Sequence, residues 1–215
     1  MLFETSDGIL ERYFTRDVRR ALASAVVQAY DLVSKSDPRL LFGPESQGIG
    51  GYLRKAAVAA FISEVITLRK LPFHPYYVHT GPYNQPHLLM MSDDQRVLFS
   101  MNQVKRYKGH PKRAKYRDRL IDRNVPNPMF DLFNNEGARS IPESGWTYVM
   151  LTHGYGQNRP AFIGLGIPLP HGKWDVIINI LGDATADFYV PEETVERKIK
   201  PTLKKGVVSE RGIKL

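Results

Sequence analysis

The stretch FSMNQVKRYKGHPKRAKYRDRLIDR, residues 99–123, passes from an apolar, strand-like segment straight into a dense run of positive charge. From residue 105 onward, Lys105, Arg106, Lys108, Lys112, Arg113, Lys115, Arg117, Arg119 and Arg123 stand against Asp118 and Asp122. Nearly all of the chain's formal charge of +8 therefore sits in one segment. After Pro111 the run is helical in propensity, but Ala114, Leu120 and Ile121 give it only a thin apolar side, which predicts a mostly exposed helix.

Working outward, strands lie on both sides of this element. Upstream, YYVHT, HLLMMS and RVLFSMNQV read as strands, and DDQ between the last two reads as a hairpin turn. Downstream, WTYVMLTHGYG, PAFIGLGIPLP and WDVIINIL are three more, separated by turns that carry Gly and Pro. PNPMFDLFNN reads as a short helix or loop, and ARSIPESG as a connection.

Ahead of the strands, TRDVRRALASAVVQAYDLVSKSD repeats apolar residues at helical spacing behind Thr15, a suitable N-cap, and YLRKAAVAAFISEVITLRK resumes that spacing. The expected fold is α+β: two N-terminal helices packed on a mixed or antiparallel sheet of about five or six strands, with an exposed basic helix inserted. Residues 1–190 form the predicted single domain, and residues 191–215 a charged tail.

With 215 residues and 42% hydrophobic composition, the chain is long enough to bury a core. The absence of cysteine rules out disulfides, thiolate zinc sites and cysteine nucleophiles, and fits a reducing cytoplasm. The start MLFETSDGILERYF is acidic where an export signal is basic. AAVAAFISEVI, among the longest apolar runs, is interrupted by Glu64 and falls short of the ~20 residues of a membrane span. No membrane partner is expected. Ser144 in PESGW lacks the strand-to-helix elbow of an activated serine.

A helix carrying Lys112, Arg113, Lys115, Arg117 and Arg119, interleaved with Tyr107 and Tyr116, suits phosphate contacts and base stacking. FGPESQGIGGYLRKAA puts glycines before a helix whose first turn holds Arg54 and Lys55, available to an anion. It lacks the Gly-Lys-Ser/Thr ending of a P-loop. His74 and His79, an odd number apart on a strand, face opposite sides and do not favour zinc. THGYGQNRP and PLPHGKW set His153, Tyr155, Asn158, Arg159, His171 and Lys173 in hairpin turns.

The order of elements, with Pro86-His87, then Asp93 and Asp94, then Gln103-Val104-Lys105 closing an apolar strand, resembles the restriction-endonuclease-like family. The resemblance covers about residues 52–123, and it implies that Asp93, Asp94 and Gln103, with Glu64 as an additional candidate ligand, gather about Mg²⁺ while Lys105 polarises the attacking water. His87 stands where the first acid falls if Pro86 is aligned, and Gln103 offers a hard cation only a neutral oxygen. No cofactor other than that Mg²⁺ is expected. The leading functional expectation is nucleic-acid binding, DNA first, through Lys105, Arg106, Lys108, Lys112, Arg113, Lys115, Tyr116, Arg117 and Arg119, supported by Arg54 and Lys55. A Mg²⁺-dependent nuclease and a module that binds an acidic protein are the alternatives.

Overall fold

The computed structural model describes residues 5–35, 49–80, 85–124, 145–154 and 159–185. Among the described residues, three helices precede the sheet. α1 (Ser6–Tyr13) is capped by Thr5, whose hydroxyl accepts from the Gly8 N–H at 3.2 Å. α2 (Arg16–Ser34) is capped in the same way by Thr15 and buries the stripe Val18, Leu22, Ala25, Val26, Ala29 and Val33. α3 (Ile49–Leu68) is apolar nearly all round, as a helix sandwiched between other elements must be. The sequence predicts two of these helices; α1, two turns long and carrying Gly8, is an addition. No helix among the described residues is long and apolar enough to cross a membrane.

Six strands follow, β1 (Phe73–Thr80), β2 (Gln85–Ser92), β3 (Val97–Gln103), β4 (Thr147–His153), β5 (Ile163–Leu169) and β6 (Lys173–Asn179). They pair in simple sequence order to form one mixed sheet. Every neighbouring pair is antiparallel except β3 and β4, which run parallel in the register Val97↔Thr147 to Gln103↔His153. A parallel pair needs a crossover, and the basic segment supplies it. α4 (Lys115–Asp122) lies within that connection.

Strand alternation divides the buried side chains between two faces. Phe99, Met101, Val149, Leu151, Ile163, Leu165 and Ile167 point into a core shared with α1, α2 and α3. Leu98, Tyr148 and Met150 point the other way, where Leu120 and Ile121 of α4, with Trp146, close a smaller core. The thin apolar side of the basic helix thus docks, while Lys115 and Arg119 stay exposed. Asn124 clamps the end of that helix: its side chain donates to the carbonyls of Tyr148 (2.8 Å) and Pro168 (2.9 Å) and accepts from the Tyr148 N–H. Only residues 115–122 of the basic run are helical; Lys108 takes a positive φ of 61°, and residues 104–114 are turns and irregular chain that lie against β5 and β6, where Trp174 Nε1 donates to the Lys108 carbonyl and the His110 ring meets Trp174 at 4.6 Å.

Glycine on β5 lets β6 pack closely against it. Met150 faces Gly166 across the ladder. A Cβ on Gly166 would lie 2.8 Å from Cβ and 2.9 Å from Cα of Ile177, and closer still to the Val176 carbonyl, all atoms that cannot swing aside. Gly166→Ala is expected to cost about 1–3 kcal/mol by overpacking, read as a lower urea midpoint at unchanged slope; an unchanged midpoint would show that the sheet opens there freely.

Candidate functional site

Because β2 and β3 are antiparallel, β3 and β4 parallel, and β4 and β5 antiparallel, one end of the sheet gathers the start of β2, the ends of β3 and β4 and the start of β5. The first turn of α3 lies over this end, with a Cβ on Gly51 falling 3.6 Å from Gln103 Oε1. Crevices at the carboxyl ends of parallel strands are common ligand sites. Polar side chains collect here on both faces of the sheet.

On the face toward the helices, Gln103 and His153 are register partners at the last positions of β3 and β4. Tyr30 of α2 reaches them, and its hydroxyl lies 2.9 Å from His153 Nδ1 and also donates to the Gly154 carbonyl. A phenol has one proton, and the carbonyl can only accept. His153 Nδ1 therefore carries the hydrogen it shares with Tyr30, and Nε2 is left as a bare acceptor. His153 is fully buried. Burial lowers its pKa to about 3, against an opposing hydrogen bond with the Gly154 backbone and with the Arg54 charge adding to the fall, so the imidazole is neutral. Burial likewise raises the Tyr30 phenol, opposed by Gln103 and Arg54.

Arg54, on α3, is only 7% exposed. Its Nε, Gln103 Nε2 and His153 Nε2 are all buried without a hydrogen-bond partner. Buried polar atoms are rarely left so, and here three belong to one cluster.

The opposite face holds a second network. Asn102 Nδ2 donates to Ser100 Oγ at 2.6 Å, and Ser100 shares a 2.6 Å hydrogen bond with Tyr148 Oη. Burial pushes the Tyr148 phenol up to about 12. Beside it the His87 ring stacks on Tyr116 at 4.5 Å, and the Arg117 guanidinium covers the same tyrosine. Arg117 donates to the Lys112 carbonyl at 2.6 Å and to Tyr116 Oη at 3.1 Å. Lys55 comes close enough that burial and then Arg117 lower its pKa. Burial, Lys55 and Arg117 all depress His87. Cations from α3 and α4 and a histidine from β2 thus converge.

Lys105, Arg106, Lys108, Lys112, Arg113, Lys115 and Arg119 are exposed; Lys105 and Arg106 follow the end of β3 and Lys112 and Lys115 adjoin Arg117 and Tyr116, while Lys108 lies toward Trp174 of β6. Arg113 pairs with Asp118 at 3.3 Å, and the two help line an open groove of about 460 Å³ together with His110, Arg117 and His171. Tyr52, in the first turn of α3, is 73% exposed. A large aromatic left that open beside Lys55 is a ready stacking surface.

The residues expected to form a metal centre are not brought together. Asp93 and Asp94 occupy the turn before β3, whereas Gln103 closes that strand and Lys105 follows it. At ~3.3 Å per residue the two groups are about 20 Å apart. Asp94 serves its turn instead, accepting from Tyr13 Oη at 2.6 Å and Ser92 Oγ at 2.7 Å. Burial would raise its carboxyl, but those hydrogen bonds, the Arg96 N–H and the Arg12 charge hold it below its ordinary value. Asp93 sits 3.6 Å from His74. Glu64 is buried on α3, ten residues and hence about 15 Å beyond Arg54. No group of three His, Asp or Glu among the described residues is placed to hold a metal.

His153 also differs from expectation, being the buried last residue of β4 rather than part of an exposed turn. Tyr155, Asn158, Ser144, the PNPMFDLFNN segment, most of ARSIPESG and the tail from residue 191 lie outside the described residues. Tyr30 and Tyr52 join the site without having been singled out in the sequence. Tyr30 sits on the buried stripe of a helix, where an aromatic reads as core; Tyr52, two residues ahead of Arg54, had the basic first turn as its only signal. No protein-family model, no curated protein and no solved structure matches this chain.

Proposed function

We propose that the chain binds nucleic acid, with DNA as the expected polymer, across the cationic end of the sheet. The observation that carries this reading is the crowding of Lys55, Arg117 and His87, contributed by α3, α4 and β2. The charges acting on Lys55 and His87 are all positive. Like charges held together cost free energy unless a polyanion offsets them. The exposed cations flanking the cluster extend it into a surface able to follow several phosphates, and Tyr52 and the Tyr116–His87 stack are aromatic groups of the kind on which bases stack.

The test is fluorescence anisotropy of labelled duplex DNA, single-stranded DNA and RNA across a range of salt with Mg²⁺ present. Binding that falls steeply with salt is expected, and the probe should remain intact, since Asp93 and Asp94 lie far from Gln103 and Lys105. Reversing Arg113, Lys115 and Arg117 to Glu is expected to reduce the salt slope by about three and weaken binding on the order of a hundred-fold at moderate salt. Circular dichroism would establish that the variant is folded. Absence of binding to all three probes at low salt would overturn the reading and direct the search to an acidic protein partner.

A further inference from the structure

The cluster of Arg54, Gln103 and His153 is not accounted for by surface contacts to a polymer backbone, because it lies beneath the surface. Arg54 is 7% exposed and His153 fully buried. A guanidinium removed from water ordinarily has a carboxylate beside it, yet the interactions that identify its neighbourhood are with Tyr30 and His153, and no salt bridge to Arg54 occurs among the described residues. No described residue forms an ion pair that offsets its charge there.

The three unpartnered atoms define what would complete the site. Arg54 Nε and Gln103 Nε2 are donors, and an acceptor-rich anion satisfies both. His153 Nε2 is an acceptor, because Tyr30 gives its own proton to the Gly154 carbonyl and leaves the imidazole hydrogen on Nδ1. Gln103 and His153 face each other across the parallel ladder, and neighbouring strands run about 4.8 Å apart. The first turn of the 20-residue α3 stands over Gln103, so the positive end of that helix faces the same place.

We propose that Arg54, Gln103 and His153 form a recessed binding site for a single phosphate-class oxyanion that keeps one O–H. The anion's oxygens accept from Arg54 and Gln103, and its hydroxyl donates to His153 Nε2. Inorganic phosphate carries such a proton near neutral pH, and a phosphate monoester carries one in its monoanion. Sulfate carries none. An oxyanion without a proton would leave His153 Nε2 facing a second acceptor, which is the penalty that separates the two anions. The group has two sources, a free phosphate or small ester, or the terminal phosphate of a strand lying on the cationic surface. The second source alone rests on the nucleic-acid reading above.

The experiment is thermal unfolding of the full chain with inorganic phosphate or sulfate at matched ionic strength, followed by calorimetric titration of each anion. Phosphate is expected to raise the midpoint and to bind at least about ten-fold more tightly than sulfate. Equal responses to the two, or no response to phosphate at about 10 mM, would overturn the proposal.

Two variants test the residues without depending on a single fold. Arg54→Met removes the buried charge while keeping its bulk; it is expected to be at least as stable as the wild type without phosphate and to lose the phosphate response. Gln103→Glu places a carboxylate beside Arg54 and is expected to raise the midpoint without phosphate and again abolish the response. Retention of the phosphate response in both variants would also overturn the site. Anisotropy with oligonucleotides that differ only in a terminal phosphate then separates the sources. Tighter binding of the phosphorylated strand assigns the site to strand ends, and equal binding assigns it to a free phosphate. Loss of all oligonucleotide binding with the phosphate response intact removes the nucleic-acid reading and leaves this site standing.

Discussion

Replacing Phe99 with alanine is expected to remove about 3–5 kcal/mol of folding stability, the usual range for truncating a buried aromatic. Phe99 lies at the centre of β3, is fully buried, and its ring meets Phe14 at 5.6 Å and Phe73 at 5.1 Å, both edge-on. Phe14 and Phe73 stack on each other at 5.4 Å. One side chain therefore joins the end of α1, the start of β1 and the middle of the sheet. Deleting it forfeits both the transfer free energy of the ring and the contacts of its two neighbours, which rigid strand backbone cannot close up to restore.

Against a typical total of about 5–15 kcal/mol, the variant should be marginal. Urea unfolding measures this directly. Phe99→Leu, which keeps most of the volume, should cost under about 1.5 kcal/mol. A loss below about 1 kcal/mol for the alanine variant would mean that the three rings do not form a shared core.

Acidification is the second large effect. His153 has an ordinary pKa of 6.5 and a folded value of about 3, so between these limits the unfolded chain binds a proton that the folded chain refuses. Stability is then complete above 6.5 and falls as pH is lowered toward 3. The maximum loss from this residue is on the order of 5 kcal/mol. His87 and His110, both lowered chiefly by burial, act in the same direction. Asp94, also lowered, adds a loss only as pH falls below its ordinary 3.8.

The midpoint of thermal unfolding should therefore drop steeply from pH 6.5 to 4. His153→Gln cannot titrate and should flatten most of that slope while lowering stability at pH 7. A variant with the wild-type slope would show that His153 is not protonated on unfolding.

Much of the fold is legible in the sequence. β3 reads as a strand because Val97, Leu98 and Phe99 form a short apolar run bounded by the Asp93-Asp94-Gln95 turn, and its burial on both faces explains why the run is nearly continuous rather than alternating. The capping threonine and apolar spacing of α2 mark its start and its buried face. What local pattern does not carry is which strands meet. Val97 and Thr147 are fifty positions apart, and nothing near either residue announces a parallel pairing.

The functional end follows the same division. Charge density marks residues 105–123 as a cationic segment, and Arg54 and Lys55 are legible as basic residues near a helix start, although the helix begins at Ile49 and puts them in its second turn rather than the expected first. The polar cluster is invisible locally because Gln103 reads as a strand end, His153 as a turn residue and Tyr30 as core. Only the ladder makes them neighbours. The same absence of long-range information allowed Asp93 and Gln103 to look adjacent, when the extended strand between them holds them apart.

The single parallel ladder divides the sheet into two halves, β1–β2–β3 and β4–β5–β6, each an uninterrupted meander that closes only short loops. Neither half owns the recessed site: Gln103 belongs to the first and His153 to the second, with Tyr30 and Arg54 supplied by helices that pack across both. The one junction with a long closure to make is also the one that brings Gln103 beside His153. Competence at this site is thus a property of the completed chain, and a fragment or a half-assembled intermediate would have the surface charge without the recess behind it.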